Sequence, residues 1–529
     1  MNRKGFTLVE LLAVIVILAL ILVIGVPRVI NTIEQSDKEA FRISAEHLVK
    51  EATDNVVKES IDISMGKTYT ITDGTFVGDS IPMTGKLPDN GTINITSDGI
   101  VSIAVSDDKW CAIKYEDEEN VFVSKDPDCQ LFIPEVVPDT CFTRTNDGVQ
   151  VTITDYNFSC SKNVIIPNTL DGLPVRIIGT NAFRLDNLLS VSIPTSVISI
   201  MDTAFYRNIL TRINLSDNIT KIGDFAFAFN SIREVDIPNN ITIIEEGSFY
   251  KNQLTRVHIP SGVTTIEQEA FEGNVLPSID IPFGVTSIGY YAFCGNQLTN
   301  LVLPASVTTI SGEAFSSNLL TNISIPSSVT YIAESFNRNF LPPEQAFIYA
   351  RNPDGSEDES KIVSYGGAKR DYVEIPEGVT TIGMYALQAC SIESISIPNT
   401  VTTIETYGLM GNLLTNVIIP NSVSTLGNGT FSYNDLTSVI ISDVLTEIPS
   451  MTFAYNKLTT IVIPNDISSI GSQAFDGNQL TSITIPANVT LSGYSPLPPT
   501  FYTSYVTVNA RAAGTYTAPS QNGTWTKQP

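Results

Sequence analysis

The feature that most constrains this chain is a 22-residue period that runs through residues 167–486. The unit reads roughly Leu-Thr-x-Ile-x-Ile-Pro-x-x-Val-Thr-x-Ile-Gly-x-x-Ala-Phe-x-x-Asn-x. A fixed period of about 20–29 residues rich in aliphatic side chains predicts a solenoid whose stacked turns share one core. The chain should therefore owe most of its structure to contacts between successive repeats.

Two positions of the unit are expected to hold the stack together. Phenylalanine returns every 22 residues, with Phe336 one residue early and with Leu387 and Leu409 as substitutes. Asparagine follows most of these residues at the third position, and Cys390 takes its place once. One turn cannot bury its own apolar side chains, so neighbouring turns must share them. We expect the asparagines to form a ladder that ties backbone groups of adjacent turns together.

The Ile-Pro and Ala-Phe pairs of the unit resemble the BspA-like leucine-rich repeats of bacterial surface proteins. This resemblance implies a β-rich leucine-rich-repeat solenoid over residues 167–486, displayed at a cell surface. At about 4.8 Å per turn, roughly thirteen turns span on the order of 60 Å.

The rhythm breaks once, at about residues 340–373. Residues 346–350 and 361–365 have the composition of two strands around an acidic loop, which predicts a hairpin insert that protrudes as a contact site. The loop lacks the glycine and terminal glutamate of an EF-hand, so a solvated loop is favoured over a calcium site.

The two x positions of Leu-Thr-x-Ile-x-Ile should face away from the core, because strand side chains alternate. Early repeats place charges of both signs there, and three late repeats place aliphatic residues there. We expect this face to contact a ligand, although β-branched residues also suit an exposed strand without one. The candidate ligand face comprises Arg212, Glu234, Asp236, Arg256, His258, Asp280, Ile418, Ile440 and Val462.

An apolar run at residues 6–26 predicts a transmembrane helix, since a helix of that length spans about 32 Å. Arg3 and Lys4 precede the run and are expected to keep the amino terminus cytoplasmic. The sequence therefore predicts a single-pass membrane protein whose C-terminal part is extracellular.

The segment Lys4-Gly5-Phe6-Thr7-Leu8-Val9-Glu10 resembles the processing motif of type IV prepilins and pseudopilins. The resemblance implies a leader at residues 1–5, cleavage between Gly5 and Phe6 by a prepilin peptidase, and N-methylation of Phe6. It also implies that Glu10 pairs with the Phe6 ammonium of a neighbouring pilin, which would offset a burial cost of at least ~2.5 kcal/mol. A plain signal anchor is the alternative interpretation.

Residues 27–133 should continue the helix and then form a small sheet. Apolar residues recur at three- and four-residue intervals to about residue 56, and four short alternating runs follow between residues 68 and 114. Because pilins pack such a helix on such a sheet, the resemblance implies an α+β pilin-like domain. The prolines at 134 and 138 then indicate a linker at residues 134–140.

Four of the six cysteines lie between residues 111 and 160, which favours two disulfides and an oxidising compartment. The expected pairs are Cys111–Cys129 and Cys141–Cys160. A zinc site is the alternative, but no Cys-x-x-Cys unit or nearby histidine supports it. The second pair would staple an N-terminal cap at residues 141–166, where residues 143–154 predict a hairpin.

At the other end of the repeats, residues 487–529 predict a C-terminal β cap with strands at 501–508 and 515–525. Solenoids need such polar or stapled ends. The remaining cysteines, Cys294 and Cys390, are expected to be packed thiols.

The composition and motifs bound the function. A net charge of −25 disfavours nucleic acid as a partner. The chain has no His-Glu-x-x-His, Gly-x-Ser-x-Gly or phosphate-binding glycine loop, so we expect no catalysis, cofactor or metal. The expected function is that of a minor or tip pilin-like subunit whose solenoid binds an extracellular protein or glycan. The alternatives are a pseudopilin of a type II secretion or DNA-uptake machine, and an anchored receptor outside any filament.

Overall fold

The computed structural model describes residues 26–58, 67–82, 84, 86–97, 99–114, 121–124 and 135–529. The chain divides into two compact units, residues 1–133 and residues 134–529. Each unit has its own hydrophobic core and is described by itself.

The first unit combines one long helix with one antiparallel sheet. Helix α1 (Val26–Val57) buries Ala45, Leu48 and Ala52, whose spacing of three and four residues places them on one face. These side chains share a core with Ile93 and Ile103 of the sheet. The sheet has the order β2-β1-β3-β4-β5-β6. Its strands are β1 (Lys67–Thr72), β2 (Thr75–Val77), β3 (Asn90–Ile95), β4 (Val101–Ser106), β5 (Cys111–Lys114) and β6 (Phe122–Ser124).

The second unit is the predicted solenoid, and most of its repeats contribute two short strands. The Thr-x-Ile-x-Ile part of the unit forms a strand that is called the first strand here. First strands of successive repeats pair in parallel, so that Glu234 lies opposite Arg256. The first strands are Asn163–Ile165, Ser190–Ser192, Glu234–Asp236, Arg256–His258, Asn300–Val302, Asn322–Ser324, Val373–Glu374, Ile395–Ser396, Asn416–Ile418, Ser438–Ile440, Thr460–Val462 and Ser482–Ile485.

The second strand of each repeat is formed by the Thr-x-Ile-Gly part of the unit. Its isoleucine points into the core and its preceding residue stays accessible, so one side chain per strand is buried. The second strands are Ser199–Ile200, Lys221–Ile222, Ile243–Ile244, Thr265–Ile266, Ser287–Ile288, Thr309–Ile310, Tyr331–Ile332, Thr381–Ile382, Thr403–Ile404, Thr425–Leu426, Glu447–Ile448, Ser469–Ile470 and Thr490–Leu491.

The remaining side of each repeat, called the turn segment here, contains the phenylalanine and asparagine positions. The phenylalanine rings from Phe183 to Phe336 stack face to face, with centroids 5.0–5.7 Å apart. A second stack joins Phe431, Phe453 and Phe475. The period therefore aligns identical side chains in columns through the core.

The asparagine ladder is confirmed. Asn230 donates from Nδ2 to the carbonyl oxygens of Phe205 (2.9 Å) and Phe227 (3.0 Å), and its Oδ1 accepts from the Leu210 N–H (3.1 Å). One buried side chain thus satisfies three backbone groups in two successive repeats. Each of these groups would cost about 1–3 kcal/mol if it were buried without a hydrogen-bond partner. Cys390, in the ladder position, approaches the equivalent carbonyl of Tyr365 at 3.5 Å.

Left-handed backbone is a regular part of the turn segment. Thr203 and Arg207 both have φ of +55°, and equivalent residues in most repeats share this conformation. The amides of Thr203, Phe205 and Arg207 each donate to the next repeat, at 2.8, 2.8 and 2.9 Å. A left-handed non-glycine residue costs on the order of 1 kcal/mol, and these inter-repeat hydrogen bonds offset it.

The N-terminal cap is more continuous with the repeats than the sequence indicated. Strands Phe142–Asn146 and Val151–Tyr156 form an antiparallel hairpin stapled by the Cys141–Cys160 disulfide. Thr169–Leu170 pairs antiparallel with Leu173–Ile178, which lies between the hairpin and the second strands in a single sheet.

The prediction of a linker at residues 134–140 is wrong. Glu135–Val136 is a strand parallel to Asn163–Ile165, and Asp139–Cys141 is a 3-10 helix. The neighbouring Val137 is buried in the solenoid core, which holds this segment against the first strands. The stack of first strands therefore begins before the cap hairpin.

The insert is a hairpin, but the prediction that it protrudes is wrong. Strands Phe347–Arg351 and Glu357–Tyr365 pair antiparallel, and Lys361 and Ile362 continue in parallel onto Thr381–Ile382. Alternate side chains enter two different cores: Ile348 and Val363 pack with the preceding repeats, and Ile362 with the following ones. Burial on both faces therefore holds the hairpin between the two halves of the solenoid.

The C-terminal cap is mixed rather than all-β. Residues predicted as a strand form a helix, Pro499–Tyr502, which continues as a π-helical turn, Thr503–Val508. Phe501 and Tyr505, four residues apart, are fully buried against each other, so tertiary packing favours the helical spacing here. Strand Gly514–Thr517 pairs antiparallel with Ser482–Ile485, the first strand of the final repeat, and with Thr526–Lys527. These two added strands cover the open edge of the sheet.

Candidate functional site

The residues predicted to direct processing and assembly, Gly5, Phe6 and Glu10, lie outside the described residues. The predicted transmembrane segment at 6–26 lies outside them as well, apart from the backbone of Val26 at the start of α1. Within the described part of the chain, no helix has the length and hydropathy needed to cross a bilayer.

The cysteines occupy two kinds of environment. Cys111 is disulfide-bonded, and its expected partner, Cys129, lies outside the described residues. Cys294 and Cys390 are free thiols, and burial raises the pKa of each to about 12. A thiol with such a pKa stays protonated and unreactive at neutral pH, so packing is their evident role.

The early part of the candidate ligand face is internally paired. Arg256 lies between Glu234 (Nε to Oε2, 3.0 Å) and Asp236 (Nη1 to Oδ1, 2.7 Å). The hydrogen bond to Asp236 raises the pKa of Arg256. Exposed pairs of this kind contribute about 0–1 kcal/mol. These charges therefore stabilise the register of neighbouring first strands and are only partly available to a ligand.

The other early residues of this face flank that cluster. His258 is exposed and lies opposite Asp236 in the parallel register. Arg212 is half-buried and Asp280 is exposed, and each lies in a repeat next to the paired cluster, outside a regular strand. The structure thus brings together Glu234, Asp236, Arg256 and His258.

The late part of the face is an apolar strip formed by Ile418, Ile440 and Val462. Their exposed fractions are 62%, 60% and 66%, and Ile418 lies directly opposite Ile440 in the parallel register. Aliphatic side chains aligned on consecutive strands with this exposure form a continuous water-exposed surface of a kind that marks interaction sites. We call this surface the apolar strip.

A third surface was missed by the sequence reasoning. Arg207 lies over the rings of Tyr206 (5.5 Å) and Phe229 (4.8 Å), and Lys251 lies over Phe229 (5.7 Å) and Tyr250 (4.9 Å). Arg184 adds a further contact to Tyr206 at 5.4 Å. Among the described residues, none of these three cations has a carboxylate partner in an ion pair. We call this surface the basic–aromatic ladder.

The ladder was missed because it combines two neighbouring positions of the repeat. Arg184, Tyr206 and Tyr250 share one position, and Arg207, Phe229 and Lys251 occupy the next. Reading each column separately shows no pattern. Reading the two columns together would have revealed cations alternating with aromatic rings, which is the composition of cation–π clusters.

Family models match two separate regions of the sequence. The model of the BspA type leucine-rich repeat region matches residues 151–276, 264–341 and 380–496. The model of the prokaryotic N-terminal methylation motif matches residues 1–26. No curated protein matches the chain.

Solved structures similar to the chain include a leucine-rich cell surface protein from Faecalibacterium prausnitzii A2-165. It is 25% identical, with 68% of this chain and 95% of that chain covered and a TM-score of 0.38. A leucine-rich-repeat protein from Eubacterium ventriosum is 19% identical, with 63% and 91% covered and a TM-score of 0.35. The pneumococcal vaccine antigen PcpA is 18% identical, with 64% and 94% covered and a TM-score of 0.37.

The repeat model matches more than half of the chain, and its matched segments contain most of the stacked first and second strands. The chain therefore belongs to the family of BspA-type leucine-rich-repeat proteins, and it carries the prokaryotic N-terminal methylation motif ahead of its repeats.

Proposed function

We propose that this protein is a surface-displayed, pilin-like subunit whose solenoid binds an extracellular protein or glycan. The observation that carries the proposal is the presence, in one chain, of the methylation motif at residues 1–26 and the repeats from residue 151 onward. The proposal assigns no catalytic step to the chain.

In this proposal a prepilin peptidase cleaves between Gly5 and Phe6 and the new amine is methylated. Residues 6–26 then anchor the subunit in the membrane, and helix α1 with its sheet forms the pilin-like domain. Glu10 pairs with the Phe6 ammonium of a neighbouring subunit, because an unpaired charge in the bilayer is costly.

The solenoid favours a low-copy or tip position. At about 4.8 Å per turn its stack is on the order of 60 Å long, and one such stack on every subunit would crowd a filament. Immunogold labelling of isolated pili tests this position. Labels confined to one end support it, whereas labels along the whole shaft contradict it.

Processing is tested on the mature protein isolated from membranes. Mass spectrometry of its N-terminal peptide should show methylated Phe6, and Glu10→Ala should abolish assembly without preventing membrane insertion. A mature protein that begins with Met1, or a Glu10→Ala variant that assembles normally, would falsify the pilin-like part of the proposal.

Ligand binding is assigned to the apolar strip rather than to the paired charges. Replacing Ile418, Ile440 and Val462 together by Ser should weaken binding to host cells or matrix at least about tenfold, the effect of losing roughly 1.4 kcal/mol of apolar burial. The matched control replaces Ser424, Thr446 and Ser468, which precede the second strands of the same repeats, by Ala. If both variants bind as the parent does, the strip is not the binding surface.

One observation favours a second candidate function, a pseudopilin of a DNA-uptake machine. The basic–aromatic ladder offers ring faces and three cations that form no ion pair with any described carboxylate, in a chain whose net charge is −25. This combination suits single-stranded nucleic acid. The variant Arg184→Gln, Arg207→Gln, Lys251→Gln should then lose salt-dependent DNA binding. Salt-independent binding, or none in the parent, rejects this alternative.

A further inference from the structure

A cleft of about 920 Å³ lies where the hairpin separates the two halves of the solenoid. Its walls come from the repeats before the hairpin, from the hairpin itself and from the repeats after it. A cleft of this size is large enough for a small ligand or a peptide side chain with its flanking backbone.

Tyrosine rings form much of the wall. Tyr290 and Tyr331 come from the preceding repeats, and Tyr385 and Tyr407 come from the following ones. The rings of Tyr385 and Tyr407 stack with centroids 5.2 Å apart. Tyr290 and Tyr331 are about half exposed, so their rings are available to a ligand.

Gly312 makes room for two residues of the cleft wall. Tyr290, Gly312 and Glu334 occupy the same position in three successive repeats. A Cβ on Gly312 would lie 2.7 Å from Tyr290 Cε1 and would overlap Glu334 Oε1. The missing side chain therefore lets the Tyr290 ring and the Glu334 carboxylate meet over the backbone of the repeat between them.

The cations of the cleft are already committed to other carboxylates. Lys361 Nζ lies 2.6 Å from Glu405 Oε1, and Arg351 Nη2 lies 3.2 Å from Glu357 Oε1. Within the described residues, neither Glu313 nor Glu334 forms an ion pair, although Glu313 is only 8% exposed. Burial raises the pKa of Glu313, but the positive charge of Arg338 opposes that shift. Among the described residues, Glu334 is therefore the carboxylate of the cleft that has no neighbouring cation.

The electrostatic setting agrees with this geometry. Burial raises the pKa of Glu334, and the neighbouring Glu313 raises it further. Burial is the largest cause of the raised pKa of Tyr290 and of Tyr385, and a neighbouring tyrosine is the second. The charge of Glu334 is a third, smaller cause for both tyrosines. A positive group placed among these rings would relieve the cost of the charged carboxylate.

We propose that this cleft binds an organic cation, an ammonium group that sits among the tyrosine rings and pairs with Glu334. Aromatic faces attract such cations, and a desolvated carboxylate supplies the counter-charge. The group has two chemical sources, a quaternary ammonium headgroup and the lysine side chain of a protein. The cleft is separate from the apolar strip and depends on the proposed surface display only for access to its ligand.

The test uses the full chain in detergent and titration calorimetry with two matched ligand pairs. Choline is compared with 3,3-dimethylbutanol, and N-acetyl-lysine methylamide with N-acetyl-norleucine methylamide. Each pair differs mainly in the positive charge. We expect saturable binding of one cation with an affinity at least about tenfold above that of its neutral partner. The pair that binds identifies the source.

Variants then locate the binding. Glu334→Gln and Tyr331→Ala should each weaken cation binding by about tenfold, whereas Glu359→Gln, at an exposed position of the hairpin, should leave it unchanged. Tyr331 is exposed, so its variant remains informative if Glu334→Gln fails to fold. Equal binding of charged and neutral ligands, binding that survives both variants, or no binding at all overturns the proposal. None of these results bears on processing or on the apolar strip.

Discussion

The two halves of the solenoid use the same 22-residue unit with different side chains. Before the hairpin the phenylalanine column is unbroken from Phe183 to Phe336, whereas after it the column begins with Leu387 and Leu409. The first-strand face is charged and internally paired in the early repeats, and it carries the apolar strip in the late ones.

The comparison separates what stacking requires from what it leaves free. Both halves keep a large buried side chain at the phenylalanine position and a ladder residue three positions later. The exposed first-strand positions differ in charge and polarity, although the same parallel register holds them. Function can therefore diverge between the halves without altering the core.

The largest expected effect comes from breaking the ring stack. Phe271→Ala should destabilise the first half by about 3–5 kcal/mol, because a buried ring between two others leaves a cavity. Leu409→Ala should destabilise the second half by about 2–5 kcal/mol. The readout is alkylation of Cys294 and Cys390, which report opening of the first and second halves. If either variant exposes both cysteines equally, the halves unfold as one unit.

The next largest effect concerns the contact between the turn of the hairpin and the preceding repeats. Gly355, at its turn, has φ of +82°, and a Cβ there would overlap the carbonyl oxygen of Ser327. Gly355→Ala should cost about 2–4 kcal/mol, from backbone strain and overlap together. Gly378→Ala is the matched control, since Gly378 has φ of +96° and no atom within 4 Å of the added Cβ. Chemical denaturation that gives equal losses for both would show that the contact with Ser327 is unimportant.

A smaller effect compares the two kinds of ladder residue. Asn252→Ala removes hydrogen bonds to Phe227 and Phe249 and from Ile232, and should cost about 2–3 kcal/mol. Cys390→Ala loses only weak sulfur contacts and should cost about 1 kcal/mol. Unfolding midpoints measure both, and a larger loss at Cys390 would contradict the role given to the amide.

The smallest effect is a pH dependence of the first half. Burial raises the pKa of Glu272 from 4.5 to about 7, and the charge of Glu269 adds to the shift. The folded state therefore holds this proton more tightly than the unfolded state. The resulting stability is complete below the unfolded pKa and is lost as the pH rises through the folded pKa.

Because Glu272 is partly exposed, we expect a loss on the order of 1 kcal/mol between about pH 5 and about pH 8. Denaturant unfolding midpoints measured at fixed pH values across this range should show the loss, and Glu272→Gln should remove it. A first half whose stability rises over this range would reverse the predicted sign.

The sequence predicted the solenoid, its period, the asparagine ladder and the ladder cysteine, because each depends on side chains that recur in register. It misjudged the segments where the period stops. Glu135–Val136 is ordered by pairing with a strand almost thirty residues later, and residues 499–508 are helical because Phe501 and Tyr505 pack together. Neither contact leaves a local signal as strong as the repeats.

The candidate surfaces were predicted unevenly for a similar reason. Alternation along one strand was enough to expect Ile418, Ile440 and Val462 to be exposed. The pairing of Arg256 with Glu234 and Asp236 depends on cross-strand register. The approach of Tyr290 to Glu334 in the cleft depends on the absence of a side chain at Gly312. Such features become visible only when three repeats are placed side by side.

The hairpin has a mechanical consequence. If the chain is anchored at its amino end and holds a ligand at its late turns, tension passes through the turns in series and must cross residues 340–373. Within the part of the chain that the structure describes, no stack of phenylalanine rings bridges this point, since the phenylalanine column stops at Phe336 and aliphatic side chains follow at Leu387 and Leu409. Once pulled straight, a segment of this size supplies on the order of 110 Å of slack. The hairpin would then extend first under tension and delay the unfolding of the ligand-bound repeats.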